Sequence, residues 1–416
     1  MCQSTRYVGA DCGESRHSVV LLNGDGKFVN KWRVENRAEA LVRVVQQVCE
    51  QAGEPVTLVV ESLYGFSSLL VEVARDQGLS ICQASSKALA HYRDLEGQPH
   101  KDDDRDAYLL ARMGWLGLEG CRLAVSATPD EHVFRRLSRL HSQLTEQRKR
   151  AKLRLRSRFL ELCPAIVSPS WAGPKWSSGA LLAILGRWPG FEGLEKARVG
   201  TIQRVLAKIS RRPAPELEPR AKALKQLAGQ ISASMERSVL TLEISCWVSQ
   251  IQLLSRRLQE IDQRIHQRVL ADPVARKLLD MPGVGAFTAA MLSGELRPLA
   301  KTCSQAKVAT YAGLTPLNRR SGIKGRNRLA KGVNKHAQQG CYMSALASLR
   351  RSSLDRAYYQ KQHDAHRGHP KPHVVALLAL ARQRLKVFYK LLTTDAVYDK
   401  EVLIASHLQR QQALAQ

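Results

Sequence analysis

Three absences narrow the classes to which this chain can belong. No apolar run reaches the roughly 20 residues that a membrane-spanning helix needs, and no basic, apolar and small-residue leader opens the chain. No C-x-x-C pair occurs among its nine cysteines, so neither a zinc site nor a disulfide framework is indicated. These absences predict a cytoplasmic protein with reduced thiols and no membrane partner.

Acidic residues are absent from one long stretch. Residues 296–354 carry twelve Lys or Arg and no Asp or Glu, and the whole chain has a formal net charge of +27. The net charge is −3 over 1–125, +14 over 126–271 and +16 over 272–416. Such a balance favours a polyanionic partner, with nucleic acid first and an anionic membrane second. We therefore expect an almost neutral first domain followed by two segments that contact phosphates.

The 416 residues exceed one ordinary hydrophobic core, and the sequence pattern divides them into three parts. Three β-rich runs followed by alternating helix and strand predict an α/β domain over 1–125. Residues 126–271 contain a helical pattern at 131–162 and a heptad seam from Ile244 to Ile265. These predict a helical, coiled-coil arm with subunit contacts, or equally two helices of an ordinary bundle. Residues 272–416 read as all-α.

Four acids of the first domain form a candidate metal site. Asp11 and Glu61 each end a predicted strand, and Asp103 and Asp106 are three apart at the start of a helix. This order matches an RNase H-like fold, in which carboxylates would hold Mg²⁺ or Mn²⁺ for cutting phosphodiesters. The simpler interpretation is solvated strand ends and helix capping. The register also stays open, because Asp102 and Asp106 are spaced i, i+4.

A glycine turn opens the last segment. The stretch "MPGVGAFTAA" predicts helix, tight turn and helix, with backbone N–H groups near Gly283 and Gly285 that could bind phosphates. It is similar to a helix-hairpin-helix. It is not a Walker A loop, since no G-K-[ST] follows. The alternative is a tight turn between helices with no ligand.

The stretch "LNRRSGIKGRNRLAKG", residues 317–332 and here called the basic loop, contains one serine and six basic residues. A serine is a weak nucleophile without activation, so from the loop alone Ser321 is a phosphate contact or, less favoured, an attacking group. The basic residues are candidate phosphate ligands: Arg319, Arg320, Lys324, Arg326, Arg328 and Lys331.

Two smaller signals offer rivals to this serine. Tyr342, Tyr358 and Tyr359 could be nucleophiles, but aromatic residues beside an apolar helix are usually core. Residues 363–373 contain four histidines, and the intervening Gly, Pro and basic residues favour a loop near phosphates over a metal site.

The ordered motifs resemble the transposases of insertion-sequence family 110, including the related Piv-type DNA invertases. The resemblance rests on the four acids, "MPGVGAFTAAML", "YAGLTP" and "RRSG", and it covers most of the chain. The family's K-T-D-x-x-D-A is here "KDDDRDA", which places its acids on Asp103 and Asp106 and puts Asp102 in the place of Thr. The family's catalytic serine falls on Ser321, with Arg320 where many members have a second serine.

The resemblance implies an RNA-guided, site-specific DNA recombinase of a bacterial mobile element. It implies an RuvC-like domain whose acids hold metal, and a second domain whose Ser321 forms a phosphoserine link to DNA. A structured non-coding guide (bridge) RNA would pair with donor and target DNA, and the protein would act as a dimer or tetramer at the nucleoid. The alternatives are a DNA invertase of the same family, a metal nuclease such as a Holliday-junction resolvase, and a non-enzymatic nucleic-acid scaffold.

Overall fold

The computed structural model describes most of the chain as two compact units, Met1–Ser126 and Ala127–Gln416. The described residues are 6–97, 102–118, 120–123, 128–169, 171, 173–210, 212–231, 235–317, 328–329 and 333–399. Within them eight cysteines are free thiols.

The first unit is a mixed sheet with helices. Its strands are β1 (Arg6–Cys12), β2 (Arg16–Leu22), β3 (Phe28–Glu35), β4 (Val56–Val60), β5 (Ser80–Ala84) and β6 (Cys121–Leu123). Its helices are α1 (Ala38–Ala52), α2 (Ser68–Asp76), α3 (Ser86–Leu95) and α4 (Asp103–Trp115). The strand order is β3-β2-β1-β4-β5-β6, in which β1, β4 and β5 are mutually parallel and the other pairings are antiparallel.

Helices cover both faces of this sheet because its central strands are apolar on both sides. On one face, Val8 and Leu58 pack with Leu41 of α1 and Leu70 of α2. On the other face, Val59 packs with residues of α4. This layering confirms the α/β architecture expected for the first 125 residues.

The second unit is mostly helical. Its helices are α5 (Pro129–Leu162), α6 (Gly179–Arg187), α7 (Val199–Ala207), α8 (Glu218–Gly229), α9 (Met235–Ala271), α10 (Pro273–Lys277), α11 (Ala286–Ala300), α12 (Gln305–Tyr311), α13 (Lys335–Ser348), α14 (Ser353–Ala365) and α15 (Pro372–Thr393). Between α12 and α13 lie two short paired strands, β7 (Pro316–Leu317) and β8 (Arg328–Leu329). The expected all-α segment therefore contains one small hairpin ladder.

Helices α5 and α9 run antiparallel. Ion pairs join Asp130 to Arg268 and Arg158 to Glu243, so early residues of α5 meet late residues of α9. Six residues of the predicted seam are buried: Ile244, Ile251, Leu254, Leu258, Ile261 and Ile265. The seventh, Trp247, lies under the Arg154 guanidinium, 4.9 Å from the ring centroid. Helices α5 and α9 thus form an antiparallel pair.

The two long helices also join two hydrophobic cores. One core contains the ends of α5 and α9 that pack with α6, α7 and α8. The other contains their opposite ends and the helices from α10 onward. The second compact unit therefore continues across the predicted boundary at 271/272, and the three-part division stays an interpretation.

Candidate functional site

Two predicted acids lie at neighbouring strand ends of the first unit. In the parallel pair β1–β4, Ala10 is opposite Val60, so Asp11 and Glu61 are the next residues on the two strands. Alternation assigns Asp11 to the face of Gly9 and Glu61 to the face of Val59. That face is the one that α4 covers, since an added Cβ at Gly9 would lie 2.0 Å from the Ala107 carbonyl oxygen.

The direction of α4 brings its acidic start to the same edge. Ala107 and Ala111 lie over Gly9, whereas Gly114, near the other end of α4, lies against Tyr7 and Val59. The helix therefore runs antiparallel to β1, and Asp103, one turn before Ala107, lies toward the end of β1 that carries Asp11. Asp11, Glu61 and Asp103 are thus placed toward the same end of the sheet.

Asp106, the fourth predicted acid, is buried in an ion pair. Its carboxylate is 2 % exposed and accepts from the Arg93 guanidinium through both oxygens, at 2.9 Å from Nε and 2.6 Å from Nη2. Such a bidentate pair occupies the oxygens that a cation would use. Sequence reasoning missed Arg93, because α3 was not predicted and nothing in the sequence links residues 93 and 106.

The remaining acids at the start of α4 have different surroundings. Asp104 accepts from Ser18, Lys31 and Arg33 on β2 and β3. These hydrogen bonds, from Arg33 above all, hold the pKa of Asp104 well below its usual range. Asp102 is the exposed N-cap residue of α4, and its side chain makes no capping hydrogen bond. The four aspartates at the start of α4 therefore differ in their surroundings. Asp104 is hydrogen-bonded to β2 and β3, Asp106 is paired with Arg93, and Asp102 and Asp103 are exposed.

The donor set at this edge fits a hard divalent cation, because carboxylate oxygens are the ligands that Mg²⁺ and Mn²⁺ prefer. Among the described residues, no group of three or more His, Cys, Asp or Glu side chains is already arranged as a metal shell. Cys12 adds no thiolate, since burial and the neighbouring Asp11 raise its pKa to about 12. The edge is therefore a set of carboxylates that would have to converge on an ion.

The predicted glycine turn of the second unit requires glycine at position 283 for steric reasons. This residue has φ +81°, and an added Cβ would lie 2.4 Å from the backbone nitrogen of Ser348. The buried Arg384 also donates to the carbonyl of Pro282 at 2.7 Å. The helix before the turn is only α10 and one 3-10 turn, which is shorter than a helix-hairpin-helix suggests.

Gly285 has a different character. It is the exposed N-cap residue of α11, with φ −105°, and an added Cβ would meet nothing within 4 Å. The N-terminal end of α11 is therefore exposed at Gly285, as phosphate binding there would require.

Most of the basic loop lies outside the described residues. This applies to Ser321, Arg319, Arg320, Lys324, Arg326 and Lys331, and Arg328 is described only as backbone in β8. The described ends of the loop are paired, with Pro316 opposite Leu329 and Leu317 opposite Arg328. The loop therefore leaves and re-enters the unit at one place.

Two residues that the sequence did not single out hold these ends. Asn334 caps α13, and its backbone N–H donates to the Tyr311 carbonyl at 2.9 Å. Its side-chain amide donates to the Tyr311 hydroxyl and, at 2.7 Å, to the buried carboxylate of Glu295. Glu295 is the last acid before the acid-free stretch 296–354, and this position is the sequence feature that could have singled it out.

The rival tyrosines pack against the core. Tyr342, Tyr358 and Tyr359 are partly buried beside the second unit's larger core. The Tyr359 hydroxyl lies 2.7 Å from Nδ1 of His373, and Tyr358 accepts from Gln383 at 3.3 Å. The loop expected at 363–373 begins later, because α14 continues to Ala365.

Comparison with known proteins adds the family. Residues 8–164 match a model described as transposase, for the DEDD domain of IS110. Residues 275–360 match a model described as transposase of the IS116/IS110/IS902 family. The two matches contain all the predicted acids, both glycines and the basic loop.

Whole-length relatives come from insertion elements. The chain is 26% identical over 402 residues to the 43.6 kDa protein of insertion element IS110 from Streptomyces coelicolor, covering 95% of this chain and 96% of that protein. It is 26% identical over 397 residues to the 42 kDa protein of IS900 from Mycobacterium paratuberculosis, covering 94% and 96%. Among the described residues, no helix is long and apolar enough to cross a membrane.

Proposed function

The chain belongs to the IS110 family of transposases, and from that premise we propose that it cuts and rejoins DNA through a phosphoserine at Ser321, assisted by the carboxylates of its first unit. DNA transposase activity follows from the family. The serine, the metal and the guide RNA are our proposal. The observation that supports it is the placement of Asp11, Glu61 and Asp103 toward the same end of the β1–β4 pair, in a chain whose other family-matched segment contains the basic loop.

The proposed reaction is a transesterification. The Ser321 oxygen bonds to a DNA phosphorus, the bond from that phosphorus to one strand end breaks, and that end leaves as a free hydroxyl. The serine proton passes to a base, and one proton is returned to the leaving oxygen. Rejoining is the reverse attack by a new hydroxyl, which gives up its proton while the serine oxygen regains one. The basic residues of the loop would stabilise the charge that develops on the phosphate. Because the link conserves the phosphodiester energy, the strands can be exchanged without another energy source.

The carboxylate edge would hold Mg²⁺ or Mn²⁺, with Asp11, Glu61 and Asp103 as ligands and Asp106 joining them on release from Arg93. When bound, the ion would supply positive charge beside a reacting phosphate. The order β3-β2-β1-β4-β5-β6, with α4 across it, supports an RNase H-like (RuvC-like) assignment of this unit. Calorimetry with Mn²⁺ tests the site without DNA: Asp11→Asn should weaken binding, and Asp102→Asn should not.

A guide RNA is the proposed source of sequence specificity. The net charges of +14 and +16 on the second and third sequence segments suit a protein that grips nucleic-acid backbones and leaves base reading to RNA. The test is to express the chain with its flanking DNA, purify it and sequence any RNA that accompanies it. RNase treatment before the DNA assay should abolish recombination, and retained recombination would contradict the guide.

Cleavage assays on the native flanking DNA test the serine. Ser321→Ala and Asp11→Ala should each abolish strand cutting if both groups serve one reaction. If Ser321→Ala still cuts while Asp11→Ala does not, the protein is a metal nuclease of the resolvase type. If every variant behaves like wild type, these groups have no chemical role.

A further inference from the structure

One buried acid of the second unit lies among several partners. Glu295, on α11, is 1 % exposed. Arg139 of α5 donates to both of its oxygens, at 2.6 Å and 3.0 Å, and Arg135 Nε lies 3.6 Å from Oε2. Burial alone would raise the pKa of Glu295, but the bonds from Arg139 and Asn334 outweigh it and hold that pKa below its ordinary value. Glu295 is therefore a buried carboxylate anion between two partly buried arginines.

The fixed position of Glu295 follows from the close crossing of α5 and α11. An added Cβ at Gly294 would lie 2.5 Å from the backbone nitrogen of Arg135, so the two helices touch at that glycine. Arg135 also donates to the Gly294 carbonyl at 2.9 Å. A carboxylate held next to such a crossing has little freedom, which makes it a rigid point of attachment.

The basic loop is attached to this point at both ends. The Asn334 amide, which follows the loop, binds Glu295 and the Tyr311 hydroxyl, and Tyr311 precedes the loop. A second contact repeats the link, since Gln338 Nε2 donates to the Gly313 carbonyl at 3.1 Å. The segment that enters the loop and the segment that leaves it are thus joined to each other and to α11.

We propose that Glu295 is a positioning residue for the basic loop: by accepting from Asn334 while held by two arginines, it fixes both loop ends and so sets where Ser321 is presented. This inference rests on the proposed role of Ser321. A nucleophile must be held within a fraction of an ångström of its productive position, and a loop whose ends are mobile cannot keep it there.

Glu295→Gln is the direct variant. It keeps the side chain's shape but removes the charge and replaces one acceptor oxygen with an NH₂ donor. At Oε2 the NH₂ would face the Asn334 amide and Arg139 Nη2, and at Oε1 it would face Arg139 Nε, so either orientation weakens the anchor. Asn334→Ser is the second variant. Serine still caps α13, yet it lacks the amide that reaches Glu295 and Tyr311. The second variant leaves the buried charges intact, so it remains informative if Glu295→Gln folds poorly.

Glu131 offers a matched control in the same unit. It is 0 % exposed and lies 3.0 Å from Arg297 Nε and 2.8 Å from Lys301 Nζ, so it is also a buried acid between two bases that contacts α11. Its remaining partner is the backbone N–H of Thr128, at 2.9 Å, and none of these partners belongs to the loop ends. Glu131→Gln should therefore cost stability without changing the loop.

The experiment measures hydrogen exchange of peptides covering 314–334 in the full chain, and single-turnover DNA cleavage at saturating DNA. Glu295→Gln and Asn334→Ser should speed exchange in those peptides about tenfold or more and slow cleavage about tenfold, with DNA affinity changed less than about threefold. Glu131→Gln should lower the melting temperature with neither effect.

Two results would overturn the inference. One is unchanged exchange in 314–334 for both Glu295→Gln and Asn334→Ser. The other is the same loss in Glu131→Gln, which would mean a general effect of destabilisation. The exchange measurement needs no DNA chemistry, so it decides the positioning role even if Ser321→Ala leaves cleavage intact and the proposed function fails.

Discussion

The carboxylate of Asp106 is buried against Arg93, whereas that of Asp103, three residues earlier on the same helix, is exposed. The sequence predicts the same surroundings for both carboxylates, because i, i+3 spacing places them on one face of a helix. The difference comes from α3, whose Arg93 has no sequence relation to α4. Which acids share an edge was therefore predictable from strand ends and helix starts, but their charge partners were not.

Removing that partner should be costly. Arg93→Ala would leave a buried, unpaired carboxylate, and the free energy of unfolding should fall by about 3 kcal/mol. Arg112→Ala is the control, since its ion pair with Glu96 joins the same two helices but is 29% and 31% exposed. It should cost below about 1 kcal/mol in urea unfolding. Equal losses would contradict the distinction.

His17 should make the first unit sensitive to acid. Its side chain is 1 % exposed, and burial lowers its pKa below 6.5. Below about pH 6.5 the unfolded chain binds a proton that the folded chain does not, so stability should fall as pH is lowered, by up to about 1.4 kcal/mol per unit. Urea unfolding between pH 7 and pH 5 measures this loss.

His17→Gln is the comparison for that titration. Glutamine has no proton to bind in this range, so the variant should lose less stability than wild type over the same interval. Parallel losses in the two proteins would show that other groups cause the acid sensitivity.

At the scale of elements, the two glycines of the turn differ in role: Gly283 is required for packing, and Gly285 lies on an exposed surface that could bind phosphate. Gly283→Ala combines φ +81° with a backbone clash and should cost about 2 kcal/mol or more. Gly285→Ala meets nothing within 4 Å and should cost below about 1 kcal/mol. Yet a methyl group beside the first N–H groups of α11 should weaken binding to duplex DNA severalfold.

Fluorescence anisotropy of labelled duplex DNA, with urea unfolding alongside, checks both expectations. Unchanged affinity in a stable Gly285→Ala protein would mean that the turn only connects helices. That was the alternative drawn from the sequence.

The elements that the sequence predicted are those with a strong apolar period or a continuous apolar run. β4 is buried at every position, and the seam of α9 repeats over three heptads. Two unpredicted helices lack that signal: α3 buries only Leu89, and α14 has no buried residue. β7 and β8 have two residues each, which is too few to show an alternating apolar pattern. The pairing of the two ends of the basic loop could therefore not be predicted.

At the scale of the whole molecule, α5 and α9 expose several apolar side chains. On α9, Val239 is 62% exposed, Leu242 64% and Leu253 48%, and on α5, Leu153 is 55% exposed. The three α9 residues follow heptad-like spacing on the side away from the buried seam. Since the proposed enzyme joins four strand ends, we expect this face to contribute to a dimer or tetramer.

Leu242→Asp should weaken that assembly. Light scattering across a concentration series should show an at least tenfold higher dissociation constant, because a charge replaces apolar contact. Gln250→Asp, which adds the same charge on the same helix without removing apolar area, is the control. Assembly unaffected by Leu242→Asp would exclude this part of the arm from the interface.

The central claim is that Ser321 attacks DNA, and a covalent adduct tests it most directly. The protein would be expressed with its native flanking DNA, denatured and digested, and its peptides examined by mass spectrometry. We predict a nucleotide on the peptide that contains Ser321, absent in Ser321→Ala and in Asp11→Ala. Recombined or cut DNA that forms without any such adduct, and that persists in Ser321→Ala, would contradict the account.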